Sequence, residues 1–182
     1  MNNCPKCNSN SSLLLKTKDY NRKVTNEFFS YRECNKCGLI FISKIPKNLG
    51  DYYRDDYYEI PSKSRLIKTS NKIEYQVEMI RKIVPSGKLL DVGSAFGVFV
   101  YKAKNLGFDV SSIEMNELCC KYLSNRIGVK VFQGDKPENI IPTLGHYDVI
   151  TFWHNIEHLS EPWKVLEEAT KKINPGGVIL IA

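Results

Sequence analysis

Four cysteines near the front of the 182-residue chain form two C-x-x-C pairs, Cys4-Pro5-Lys6-Cys7 and Cys34-Asn35-Lys36-Cys37. Two intervening residues let a tight turn bring both sulfurs of a pair to one ion. Four thiolates then complete a closed tetrahedral zinc shell. The next residue, Gly38, relieves the chain as it leaves the second turn. The segment between the pairs is 26 residues, longer than the roughly 15–20 of an ordinary ribbon. A redox dithiol fits poorly, because there are two pairs and no βαβ setting around them.

A second stretch with chemical potential is Lys88-Leu89-Leu90-Asp91-Val92-Gly93-Ser94-Ala95-Phe96-Gly97-Val98. The apolar run after the Pro85-Ser86-Gly87 turn predicts a buried strand. A strand that opens through a glycine turn onto a helix N-terminus suits a nucleotide-type cofactor, since missing side chains bare the backbone and the helix end offers free N–H groups. The dinucleotide fingerprint G-x-G-x-x-G is not met, because Val98 stands at its third glycine. The plainer alternative is a helix-packing turn with Asp91 as a local cap.

The third stretch is Trp153-His154-Asn155-Ile156-Glu157-His158. It fits H-x-x-E-H, a metallopeptidase motif. That motif needs one helix under both histidines, whereas here a strand leads in and Ser160-Glu161-Pro162 interrupts at once. His158 is the better candidate for a general base, with Glu157 orienting or polarising the imidazole.

The elements that must position these residues alternate strand and helix, as in a parallel α/β sheet. A helix over 63–84 carries Ile73, Val77, Ile80 and Val84 on one face. Strands are predicted over 88–92, 109–113, 129–132, 147–152 and 178–181. Helices lie between them: from about Gly97 to Gly107, over 116–126, and from Pro162 to Ile173. Pro175-Gly176-Gly177 reads as a turn into the last strand. Acids then fall at three successive strand ends: Asp91, Glu114 and Asp135. Ligands of such sheets lie across the carboxyl ends of the strands, where Glu114 could accept from ribose hydroxyls and Asp135 could reach a base. Cys119 and Cys120 are adjacent, cannot face one metal together, and read as structural.

These motifs together resemble the class I S-adenosylmethionine (SAM) methyltransferases. Leu89-Leu90-Asp91-Val92-Gly93 with Ala95 and Gly97 resembles the first family motif, with Ala95 in place of the middle glycine. Ser112-Ile113-Glu114 resembles the ribose-binding acid and Gln133-Gly134-Asp135 the adenine-side acid. Tyr147-Asp148-Val149-Ile150, Glu157-His158-Leu159 and Asn174-Pro175-Gly176-Gly177 complete the series. A cysteine module ahead of this domain is similar to the deoxysugar C-methyltransferases and related small-molecule enzymes. The resemblance implies a Rossmann-like doubly wound sheet that binds SAM through Asp91, Gly93, Ala95, Gly97, Glu114, Asp135 and Trp153. It implies Zn²⁺ at Cys4, Cys7, Cys34 and Cys37, and catalysis by His158 with Glu157. Such enzymes usually carry two more strands after the fifth, so the chain is expected to be incomplete at its C-terminus, with Val178–Ile181 left as an apolar edge strand.

Composition frames the rest. The expected organisation is a zinc ribbon over 1–45, a tyrosine-rich connector over 46–61 with Tyr52, Tyr53, Tyr57 and Tyr58, and a methyltransferase domain over 62–182. The hydrophobic fraction of 42% suits a globular fold, and no run approaches a membrane span. The opening residues lack an apolar signal core, which predicts a cytoplasmic protein. Residues 1–84 hold 16 Lys and Arg against 9 Asp and Glu, so the whole formal excess of +6 arises in the first half. A basic front end favours an anionic small-molecule substrate, such as a sugar phosphate or other phosphorylated metabolite, or else only solubility. Two rival readings stand beside this one: an RNA methyltransferase that holds nucleic acid through the ribbon, and a SAM-binding fragment without activity. Basic and aromatic residues do not interleave, which makes nucleic acid the poorer partner.

Overall fold

A computed structural model describes residues 3–21, 23–46 and 59–182. The chain divides into two compact units, Met1–Tyr57 and Tyr58–Ala182. The tyrosines expected to form a connector cluster lie outside the described residues.

The first unit is a three-stranded antiparallel sheet of β1 (Ser11–Lys18), β2 (Phe28–Cys34) and β3 (Ile40–Ile42), in that order. The segment before the second cysteine pair becomes β2, which delivers Cys34 at its end. Leu13 faces Arg32 and Leu15 faces Tyr31, so Leu14 is an extra residue that kinks β1.

The second unit is a five-stranded parallel sheet in the order β6-β5-β4-β7-β8. Its strands are β4 (Lys88–Val92), β5 (Asp109–Glu114), β6 (Lys130–Gln133), β7 (Tyr147–Phe152) and β8 (Ile173–Ile181). Successive residues of the central strand point to opposite faces. Leu89 joins one apolar core with Val77, Ile80, Phe99 and Leu123. Leu90 and Val92 join the other with Ile113, Ile150, Phe152 and Val165. A sheet covered on both faces needs strands buried along their length, and β4 and β7 are buried at all but one residue each. Helices α1 (Lys63–Lys72), α2 (Glu74–Arg81), α3 (Val98–Asn105) and α4 (Glu117–Tyr122) contribute to the first core. Helix α6 (Pro162–Lys171) and the turn after α5 (Pro137–Ile140) contribute to the second.

Two local expectations need correction. The single helix over 63–84 is two helices, broken at Ile73. Lys102 of α3 spans the break: its Nζ binds Asn71 Oδ1 at 2.7 Å and Glu74 Oε2 at 3.1 Å, one on each side of Ile73. The predicted apolar face survives, with Val77, Ile80 and Val84 buried. Secondly, Pro175-Gly176-Gly177 is not a turn ahead of the last strand. Strand β8 starts at Ile173, opposite Tyr147, and is again in register at Val178 opposite Val149. The intervening residues form a bulge, with Gly176 at φ +81°.

Candidate functional site

The two cysteine pairs fold into matching knuckles. In each, the first cysteine's carbonyl accepts from the residue four positions on: Asn8 N–H to Cys4 O (2.9 Å) and Gly38 N–H to Cys34 O (3.1 Å). In each, its N–H donates to the residue five on, Ser9 O or Leu39 O. The residue after the pair is left-handed in both, Asn8 at φ 56° and Gly38 at φ 70°. Asparagine is one of few side chains that tolerate that region, and this was the signal missed in the first pair. All four sulfurs lie within 4.8 Å of one another. The separations are 3.7 Å for Cys4–Cys37, 3.5 Å for Cys7–Cys34 and 3.7 Å for Cys7–Cys37. A tetrahedron with Zn–S bonds of about 2.3 Å has an edge of about 3.8 Å, so the cluster fits the ion. Hydrogen bonding from Ser9 lowers the Cys7 thiol to about 6. The N–H groups of Cys37 and Lys36 pull Cys34 down as well, both lying 3.4 Å from its sulfur. Both shifts run toward the thiolate form.

The second group gathers where the sheet order reverses. Strand β4 is first in sequence, and its neighbours β5 and β7 lead the chain in opposite directions, so the crevice beyond the carboxyl ends of β4 and β7 is the place where such sheets take ligands. The turn Gly93–Gly97 leaves β4 there. Gly93 continues the ladder by donating to Ile113 O at 2.8 Å. Its φ is +78° and that of Gly97 +68°, which only glycine adopts freely. Ala95, at the middle-glycine position, is itself left-handed at φ 47°. At Gly97 a Cβ would come within 2.4 Å of Leu123 Cδ2 and 2.7 Å of Ile127 Cδ1. The missing side chain there seats the single π-helical turn Leu123–Ile127 that follows α4. Helix packing therefore accounts for Gly97.

Glu114, 4% exposed, ends β5 beside this turn. Its Oε2 accepts from Ala95 N and its Oε1 from Asn116 N, both at 2.8 Å. It thus braces the left-handed Ala95, and each carboxylate oxygen keeps a further lone pair for a ligand. Asp91 is 3% exposed and takes the Thr151 hydroxyl of β7 at 2.6 Å. Burial pushes its carboxyl up to about 6 against the hydroxyl hydrogen bonds that favour the anion. Ser112 Oγ donates to Ser94 Oγ and Ser94 Oγ to Asp91 O, which ties the turn to β5. Asp135 is exposed, two residues past β6.

Residues after β7 are less as expected. The Trp153 ring packs on Phe99 of α3, with centroids 5.1 Å apart, so much of the indole serves the core. His154 is left-handed at φ 47°. Glu157 and His158 sit on the short helical turn Ile156–His158. The His158 side chain is 50% exposed, and its Nε2 lies 3.9 Å from Glu157 Oε1, beyond hydrogen-bonding range. Sequence reasoning passed over Asn155. Its side chain lies against Gly93, where an added Cβ would meet Nδ2 at 2.0 Å. Two clefts open elsewhere, and neither reaches this crevice. One, of about 480 Å³, lies at the amino edge of the sheet beside Lys88, Asp109 and Asp148. The other, of about 660 Å³, runs between α1, α3 and α4.

The comparisons with known proteins agree with this geometry. The methyltransferase domain model matches residues 68–182, and the chain belongs to that family. The ubiquinone biosynthesis O-methyltransferase of Caulobacter sp. (strain K31) is 26% identical over 100 residues, which are 52% of this chain and 40% of that protein. Its counterpart in Paramagnetospirillum magneticum is 30% identical over 96 residues, 50% of this chain and 38% of that protein. The chain therefore spans less than half the length of these curated relatives. Among solved structures, the precorrin 8W decarboxylase of Methanobacterium thermoautotrophicum shares the fold at a TM-score of 0.52 and 16% identity, covering 70% of this chain and 69% of that one. A Bacillus halodurans C-125 protein assigned as a methyltransferase also has a TM-score of 0.52, at 18% identity, over 60% of this chain and 50% of that one. Among the described residues no helix is long and apolar enough to cross a membrane.

Proposed function

We propose that the chain binds SAM at the turn Gly93–Gly97 and transfers its methyl group to a small-molecule acceptor in the cytoplasm. The observation that carries this is Glu114, a buried carboxylate at the end of β5 that reaches the glycine turn of β4. SAM supplies an electrophilic methyl group on a sulfonium when bound. Glu114 accepts from the ribose hydroxyls, Asp135 lies on the adenine side, and the left-handed turn through Gly93 and Ala95 lets the ligand close on the sheet. Gly97 acts by shaping the turn. Asp91 adds negative charge beneath a cationic ligand, and Trp153 forms a wall on the β7 side. His158, on the carboxyl side of the same sheet, takes the acceptor's proton, with Glu157 beside it. The curated relatives' names support a small-molecule acceptor. The basic first half of the chain supports an anionic one, such as a sugar or phosphorylated metabolite. Zn²⁺ on Cys4, Cys7, Cys34 and Cys37 holds the module over 1–45. The span 46–61 then links it to the methyltransferase domain over 62–182.

Calorimetry with S-adenosylhomocysteine tests the site. A hydrogen bond to a charged group is worth about 1.5–3 kcal/mol, so Glu114→Ala should weaken binding about 10- to 100-fold. His158→Ala should leave binding intact and lower methyl transfer about 100-fold or more. Unchanged affinity in Glu114→Ala removes the ribose assignment. Near-normal turnover in His158→Ala makes that residue a wall of the pocket.

A further inference from the structure

Asn155 lies in the same crevice, and packing against Gly93 leaves its side-chain oxygen unexplained. Its Oδ1 is buried, and no donor among the described residues reaches it. Buried side-chain acceptors almost always have a partner, so an orphan at a ligand crevice asks what donor it is built for. The position is specific. Nδ2 and Cγ of Asn155 come so close to Gly93 that an added Cβ would lie 2.0 and 2.5 Å from them. The first glycine of the turn therefore owes its missing side chain to Asn155. Backbone on both sides is held in an unfavourable region, with Ala95 and His154 both at φ 47°. Such strain collects where a ligand must be met. Two residues before Gly93 on β4 lies Asp91, a second buried acceptor, with no cation among the groups that shift its ionisation.

We propose that Asn155 Oδ1 accepts a hydrogen bond from the α-ammonium group at the amino-acid end of SAM. The inference rests on the SAM reading above. An ammonium is compact and presents three donors in tetrahedral array. It needs nearby acceptors and an opposing charge, because burying it unpaired is costly. Asn155 supplies the neutral acceptor beside Gly93, and Asp91 the charge. Glu114 meets the opposite, ribose end of the ligand. Recognition is thereby split: one half of the site reads adenosine, the other reads the amino acid.

Two ligands separate these halves. S-Adenosylhomocysteine carries both, whereas 5′-methylthioadenosine keeps the adenosine and thioether and lacks the amino acid. Both are titrated calorimetrically into the full chain and three variants. Asn155→Leu keeps the branched shape and removes both polar atoms. It should lose about 10- to 100-fold in affinity for S-adenosylhomocysteine, with less than about a twofold change for methylthioadenosine. Asn155→Asp keeps an acceptor and should hold or raise the preference for S-adenosylhomocysteine. Glu114→Ala should weaken both ligands together. Equal loss of both ligands in Asn155→Leu, or loss of neither, overturns the assignment. If Asn155→Leu fails to fold, Asn155→Asp decides, and a tenfold fall in its preference overturns the proposal. A wild-type chain that binds neither ligand overturns the SAM reading itself, which is a distinct result.

Discussion

Among the described residues of the first unit only Cys4, Ser11 and Cys34 are buried, whereas the second unit buries leucine, isoleucine, valine and phenylalanine on both faces of its sheet. Burial of a large aliphatic side chain contributes about 1.5–3 kcal/mol, so the second unit has its own driving force. On the zinc reading proposed above, the first takes its folding energy from the ion that its sulfurs fit. On that reading one chain contains a unit specified by four ligands and a unit specified by a pattern. The two should fail under different insults.

Metal removal should produce the largest effect. A strong chelator is expected to collapse the amide dispersion of residues 3–46 in NMR spectra while residues 59–182 keep theirs. A chelated chain whose first unit stays folded would erase the distinction. Packing damage should do the reverse. Gly97→Val places a branched side chain at φ +68° against Leu123 and Ile127, and should destabilise the second unit by roughly 2–4 kcal/mol. Urea unfolding measures this, and zinc content should be unchanged.

Acid sharpens the contrast further. Asp91 is raised from 3.8 to about 6 in the folded state. Between those values the folded form holds more protons than the unfolded one, so the second unit loses stability as pH rises from about 4 to about 6. At 1.36 kcal/mol per unit, the cost at pH 7 is up to roughly 3 kcal/mol. Asp91→Asn should therefore raise the urea midpoint at pH 7 and flatten its pH dependence, while weakening S-adenosylhomocysteine. A less stable Asp91→Asn would mean that the anion is better solvated than its burial indicates. The cysteine cluster has the opposite sign, since protons displace zinc from thiolates. Acidification in this range should loosen the first unit as it tightens the second. The smallest effect belongs to Ala95→Gly. It relieves a left-handed alanine but frees the unfolded chain, so the net gain should stay below about 1 kcal/mol, read from the same urea midpoints.

Which parts were legible in the sequence follows from how far apart the cooperating residues lie. The cysteine pairs, the strand ends and the Gly93–Gly97 turn are local patterns, and each appears where its spacing predicted. Strand β7 spans the predicted Tyr147–Phe152. Long-range effects were hidden. The two helices that meet at Ile73 are bridged by Lys102, about thirty residues later. The contact of Asn155 with Gly93 joins two strand ends 62 positions apart, and no periodicity encodes it. The packing of the Trp153 ring on Phe99 joins residues 54 positions apart and has no local signature either. His158 is placed on the expected edge, yet its half-exposed side chain shows how little a motif says about side-chain direction.

Asp148 sits at the far end of the sheet from all of this chemistry. Its Oδ2 accepts from Lys88 N at 2.7 Å, where β4 begins, and its Oδ1 from Asn174 Nδ2 at 2.8 Å, in the bulge of β8. Gly87 and Gly177 both lie against this residue too closely to carry a side chain. One carboxylate therefore sets a common zero for three adjacent strands. Strands are stiff along their length, so an offset at the floor arrives undiminished at the ceiling. A ladder displaced by two residues moves by about 6.6 Å, enough to carry Asn155 away from Gly93. The Asn174-Pro175-Gly176-Gly177 segment, which reads in sequence as one more element of the methyltransferase series, works in this structure as part of a datum against which the opposite edge is levelled.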